Sequence, residues 1–237
     1  ATSSRPNANP PRTSGLPPHH PRLEIIFNFC YNTFMKIEAI KNVNITALFV
    51  SPINHLLVSQ KGLLDLFKTG DETKDKMAFI EAPGLKVLIF PNRKKEFVFE
   101  GIRILVNDKS EILPENSEVI DDFEKIIKSD MVEQNKIAAY GFNYDAVIVP
   151  ENSNFKNSDL VGSKIADIQG IKSVGVSMVF EKNKTAYTFE IKPIGSEQKF
   201  IAHFNAHFST NELPNFIGLK EKINKEFLEF EDIVKKI

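Results

Sequence analysis

Tryptophan is absent from the chain, and cysteine occurs once, at Cys30. Residues 35–237 hold no cysteine at all, which excludes disulfides and thiol nucleophiles there. Secretion gains no support from this, and a cytoplasmic location is the expectation. No run approaches the roughly 18 apolar residues that a membrane-spanning helix needs. The eleven glycines are scattered, and none form a G-x-G-x-x-G turn or a P-loop. A phosphate cradle is therefore not expected. Neither a G-x-S-x-G elbow nor an H-E-x-x-H helix is present. An excess of one charge is also lacking: 30 Lys and Arg stand against 31 Asp and Glu. That balance argues against broad electrostatic capture of nucleic acid or anionic lipid.

Proline, by contrast, is concentrated at one end. Pro6, Pro10, Pro11, Pro17, Pro18 and Pro21 are six of the thirteen in the chain. Proline at this density builds neither helix nor interior strand, and few apolar residues accompany it before Leu23. Residues 1–34 are therefore read as a disordered leader, or as vector or untranslated sequence ahead of a natural start at Met35. Leu23 to Phe34 is apolar only in part, broken by Glu24, Asn28 and Asn32, and lacks the form of a secretory signal. Arg5, Arg12 and Arg22 against Glu24 give this segment a net of +2, so residues 35–237 carry −3 of the chain's −1.

What is present from Met35 onward reads as one plan used twice. In the second half, Ala138, Tyr140, Phe142, Tyr144, Ala146 and Ile148 alternate with Gly141, Asn143 and Asp145, the period of a half-buried strand over 137–149. Leu160, Val161, Ile165 and Ile168 then predict a helix ending at Gly170. Three strands follow, carrying Val174 to Phe180, Tyr187 to Ile191 and Ala202 to Phe208, with Asn183-Lys184 as a turn. Phe216, Leu219, Ile223, Phe227, Phe230, Val234 and Ile237 recur at steps of three and four, which predicts a long amphipathic helix. The first half has an outlying strand near Lys36 to Lys41, a strand through Ile45, Ala47 and Phe49, and a short helix over Leu56 to Phe67. Three strands (77–82, 85–90 and 96–107) and a closing helix through Val119 to Ile127 complete it.

These patterns predict an α+β protein, an internally duplicated strand, helix, three antiparallel strands and helix, with the helices packed on antiparallel sheet. The expected organisation is a 1–34 leader, a first lobe over 35–134 and a second over 135–237. This order of elements is similar to that of the TATA-box-binding protein saddle, with a helix after the first strand and another closing the repeat. The likeness is one of element order alone, and three strands after the short helix are fewer than that saddle requires.

No motif specifies a function, but three clusters could carry one. On a strand, His203, Asn205 and His207 share a face with Ser209, and a row of polar groups could bind a ligand. His203 and His207 stand about 13 Å apart, too far to chelate one ion together. A second row is Gly141, Asn143 and Asp145, where the glycine permits close approach of a ligand or backbone. Glu190 is a plausible neighbour on an adjacent strand. The third cluster is Arg93, Lys94 and Lys95 with Arg103, which would suit single-stranded nucleic acid if Phe97 or Phe99 were exposed beside it. The blander reading of each is a solvated strand face or a basic hairpin tip. The expectation is a non-enzymatic binding or assembly component with a protein partner or a second copy of itself, and no metal or cofactor is assigned. A hydrolase built on His203, His207, Asp145 and Glu190, and a nucleic-acid-binding saddle, are the alternatives.

Overall fold

Alternation of apolar and polar residues dominates the chain, and among the described residues it resolves into an antiparallel sheet of nine strands. The computed structural model describes residues 35–132, 137–152, 155, 160, 165, 168–170, 173–195 and 198–237. The strands are β1 (Met35–Phe49), β2 (Ala78–Ala82), β3 (Leu85–Phe90), β4 (Lys95–Glu100), β5 (Arg103–Asp108), β6 (Ile137–Pro150), β7 (Val176–Lys182), β8 (Thr185–Pro193) and β9 (Phe200–Ser209). Their order across the sheet is β2-β3-β4-β5-β1-β6-β9-β8-β7, and every neighbouring pair is antiparallel. All of these strands belong to one compact unit, residues 33–237. The two expected lobes contribute five and four strands to this common sheet.

Three α-helices occur among the described residues: α1 (Gln60–Phe67), α2 (Val119–Lys128) and α3 (Phe216–Lys235). Each begins or ends where local chemistry dictates. The Ser59 hydroxyl accepts from Gly62 N to start α1, and the Asn215 side chain accepts from Gly218 N to start α3. In α2, Asp121 and Asp122 occupy the first turn and Lys125 and Lys128 the last, matching the helix dipole. Helix α2 packs on β1 and β5, and α3 on β1 and β6. Phe67 of α1 stacks on Phe97 of β4 with ring centroids 4.1 Å apart, so all three helices cover the same face.

That covered face is the core. It takes Ile45, Ala47, Phe97, Phe99, Ile104, Phe142, Ala146, Phe189 and Phe204, all fully buried. From α3 it receives Leu219, Ile223, Phe227, Phe230 and Val234, each side chain contributing about 2 kcal/mol by its burial. Polar hooks fix the helix in register. Tyr144 Oη donates to the Ile223 carbonyl at 2.5 Å, and Tyr187 Oη donates to Glu226 Oε2 at 2.9 Å. Lys222 Nζ lies 3.5 Å from the centre of the Phe208 ring and donates to Tyr140 Oη. Burial, aided by the Glu226 charge, raises the Tyr140 hydroxyl to about 12, so it stays protonated.

The structure revises the expected element list at four places. Glu96 to Asn107 is two strands, not one, because the chain reverses at Gly101, whose φ of 53° suits glycine. The first half therefore has four strands after its short helix. The outlying strand near Lys36 is continuous with β1, which absorbs the phase change through shifts of register against β6 between Ile37 and Ala39 and between Ile40 and Asn42. Leu56 and Leu57 lie in turns ahead of α1 and are exposed. Ala138 leaves the apolar face because β6 bulges there, placing Ile137 opposite Phe49 and Ala139 opposite Leu48. The helix expected over 155–170, the linker over 131–136 and the leader fall largely or wholly outside the described residues.

Candidate functional site

Among the described residues, no helix covers the second face of the sheet, and its polar residues converge at the centre. Alternation sends Asn44 and Thr46 of β1 to this face while Val43, Ile45 and Ala47 go to the core. The pairing register then lines up three rows across strands. One row runs Asn42, Asp145, His203, Glu190. The next runs Glu96, Asn107, Asn44, Asn143, Asn205, Thr188. The third runs Leu105, Thr46, Gly141, His207, Ala186. A shallow cavity of about 340 Å³ lies over the β5, β1, β6 and β9 parts of these rows.

The middle row is a continuous ladder of side-chain amides. Asn205 Nδ2 donates to Asn143 Oδ1 at 2.5 Å, and Asn143 Nδ2 donates to Asn44 Oδ1 at 2.5 Å. Asn44 Nδ2 donates to Asn107 Oδ1 at 2.7 Å, and Asn107 Nδ2 donates to Glu96 Oε1 at 3.3 Å. Glu96 sets the direction. Its ionised carboxylate, held by Lys109 Nζ at 2.6 Å, can only accept, so Asn107 must turn its NH₂ toward it and each amide behind follows. Asn44 is 2% exposed and sits at the middle, with Thr46 Oγ1 also donating to it at 2.8 Å.

This connection makes a measurable difference between positions. Asn44→Ala should lower the unfolding free energy by about 2 kcal/mol, because the buried Asn107 carbonyl loses its strongest donor. Asn205→Ala, at the half-buried end, should cost less than about 1 kcal/mol, since water replaces the lost partner. Equal costs in urea titrations would mean that the amides do not act as a connected row.

The upper row holds the titrating pair. His203 Nδ1 lies 2.7 Å from Asp145 Oδ1, and Asn42 Nδ2 donates to Asp145 Oδ2 at 3.1 Å. The bond to Asp145 raises the His203 imidazole above its ordinary value despite partial burial. Burial by itself would raise the Asp145 carboxyl, but the His203 and Asn42 hydrogen bonds outweigh it and hold the group below its ordinary value. A raised imidazole stabilises the fold below the unfolded histidine value and loses that contribution as pH rises through the folded one. A lowered carboxyl stabilises above the unfolded aspartate value and loses it as pH falls through the folded one. The pair is therefore intact from about pH 4 to a point above 6.5. In an NMR titration, His203 should titrate above the ordinary histidine value, and Asp145→Asn should bring it down.

The two rows expected from the sequence, Gly141, Asn143 and Asp145 with His203, Asn205 and His207, lie side by side on β6 and β9. Gly141 is required by close approach: a Cβ there would meet the Ala206 carbonyl oxygen at 2.9 Å. Glu190 follows His203 in register but hydrogen-bonds Lys192 at 2.7 Å. His207 stands four paired positions from His203, two rows away on the same face, with Ser209 Oγ 3.4 Å from its Nε2. Among the described residues, no three His, Cys, Asp or Glu side chains converge as metal ligands. Asn42, Asn44, Thr46 and Asn107 also line the cavity and were not singled out from the sequence, whereas Arg103, which was, lies at it too.

The basic cluster is not brought together. Arg93 donates to the Phe67 carbonyl at 2.9 Å and lies over the Phe90 ring. Lys94 is exposed in a left-handed turn with φ 52°. Lys95 is buried on the helix-covered face between Glu118 and Asp122. Arg103 points to the opposite face and pairs with Glu100. Phe97 and Phe99 are fully buried and offer no stacking surface. No family model matches the chain, and a search of curated proteins finds no match. No helix among the described residues is long and apolar enough to cross a membrane.

Proposed function

We propose that this chain is a non-enzymatic binding or assembly component whose open sheet face recognises a protein partner. The observation that carries the reading is the amide ladder from Asn205 to Glu96, a continuous polar row on the face that no described helix covers. Amides joined in a row have their mutual geometry fixed, and toward the β9 end Asn205 keeps a second NH₂ hydrogen while Asn143 Oδ1 keeps a second lone pair. Such a row offers directed hydrogen bonds without losing side-chain entropy on binding. Half-buried Val87, Val98 and Leu105 lie beside it and supply apolar area. In this reading the two lobes are copies of one unit, the ladder crosses their junction at β1 and β6, and the protein acts in the cytoplasm.

The test is affinity capture with the whole chain, with and without nuclease, comparing the native sequence with a His203→Ala, Asn205→Ala, His207→Ala variant of native circular dichroism. A stoichiometric protein that survives nuclease and is lost with the variant supports the proposal. Undiminished capture by the variant sinks it, and a salt-sensitive nucleic acid in its place would favour the saddle alternative. The His203–Asp145 pair favours acid–base chemistry as the second reading, because a carboxylate orients the imidazole. That reading requires a nucleophile or bound substrate beside His203, and it predicts turnover abolished by His203→Gln.

A further inference from the structure

We propose that two copies of the chain join through their β7 edges, pairing antiparallel about a two-fold axis at Val179. This surface is separate from the amide ladder, and the proposal does not depend on the function argued above. An open sheet has two edges whose unpaired N–H and C=O groups can template another strand, and proteins blunt them with proline, inward charge or bulges. From Val176 to Phe180, β7 has none of these. It contains no proline, pairs with β8 without a register shift, and places its charges only at Glu181 and Lys182. The strand is also firmly presented. Asn183 and Lys184, with φ of 53° and 64°, close a tight turn onto β8, and Phe180 stacks on Tyr187 at 5.0 Å.

The residues along this edge are complementary to themselves. A two-fold axis normal to the sheet keeps each side chain on its own face, so paired positions must have the same parity. Centred on Val179, the pairing sets Val179 against Val179 on the open face and Met178 against Phe180 on the helix-covered face. Ser177 then meets Glu181, and no like charges face each other. Val179 is 78% exposed, which leaves a large apolar side chain for such a contact to bury. Centring one pair further along, on Phe180, would set Val179 against Glu181 and Met178 against Lys182.

The other edge fits less well. The strand β2 is five residues long, and the equivalent pairing about Ile80 would set Phe79 against Glu81, whose carboxylate already holds Lys86 at 2.9 Å. Joining β2 of one copy to β7 of the next is also disfavoured. Nine alternating strands leave both edges running in the same direction, so a head-to-tail continuation of the sheet would pair them in parallel.

Sedimentation equilibrium of the whole chain tests this. The native protein should give twice its 26.8 kDa mass. Val179→Lys, which sets two ammonium groups opposite each other, should raise the dimer dissociation constant more than about a hundredfold while circular dichroism stays native. In a Cys30→Ser background, Val179→Cys should be joined by a short thiol cross-linker and Ile80→Cys should not, a readout that survives any failure of the lysine variant to fold. A monomer at micromolar concentration, a dimer indifferent to Val179→Lys, or cross-linking at Ile80→Cys in place of Val179→Cys would each overturn the proposal.

Discussion

Lys95→Met is expected to lower the unfolding free energy by about 3 kcal/mol, the low end of the range for breaking a buried ion pair. Lys95 Nζ lies 2.5 Å from both Asp122 Oδ2 and Glu118 Oε2, and the Asp122 side chain is 1% exposed. Removing the ammonium leaves Asp122 with only Lys125 Nζ, 3.2 Å from its other oxygen and half in solvent. Glu118 is 66% exposed and returns to water at little cost. The loss is therefore dominated by one carboxylate that cannot be solvated. Methionine keeps the length of the lysine stem, which confines the effect to charge. For a domain of this size the midpoint of thermal unfolding should fall by roughly 6–12 °C. Circular dichroism is the probe of choice, since there is no tryptophan to report by fluorescence. The double variant Lys95→Met, Asp122→Leu should recover most of the loss, because it removes the stranded charge as well. If the double variant were as unstable as the single one, the cost would lie in packing and the electrostatic account would fail.

Phe230→Ala should cost about 4 kcal/mol, by loss of transfer energy and creation of a cavity. Its ring is fully buried and lies within 6.1 Å, centre to centre, of Tyr144, Phe189, Phe204 and Phe227. Those residues come from β6, β8, β9 and α3, so one side chain ties the helix to three strands. Phe230→Leu should cost much less, about 1–2 kcal/mol, since it keeps most of the buried volume. Urea unfolding curves of the two variants with unchanged slope would separate a cavity effect from a change in the unfolded state.

The sequence made the core more legible than the site. The stripe from Phe216 to Val234 and the alternation through Tyr140, Phe142 and Tyr144 follow from local periodicity, and both elements lie where that periodicity predicts. The β4–β5 reversal was hidden because a lone glycine between Glu100 and Ile102 is a weak turn signal. A stronger signal was available in the phase. The buried positions are Phe97 and Phe99 before Gly101 but Ile104 and Val106 after it, a change from odd to even that one straight strand cannot make. At the site, each polar row of β6 and β9 was visible by alternation within its own strand. Their union with Asn44 and Asn107 was not, because those partners are separated by 63 to 99 positions along the chain. Register between distant strands is settled by the whole core and leaves no trace in a local pattern.

The direction imposed by Glu96 has an electrical consequence. Backbone dipoles largely cancel in an antiparallel sheet, since alternate strands oppose one another. The four ladder amides do not cancel, because Asn205, Asn143, Asn44 and Asn107 all turn their NH₂ groups the same way. Their dipoles add along a line perpendicular to the strands, as peptide dipoles add along a helix axis. The positive pole falls on the Glu96 carboxylate, and the carbonyl pole falls at Asn205. The open face is thus polarised from β9 to β4. A partner laid across it in one orientation meets a different field from the same partner turned end for end.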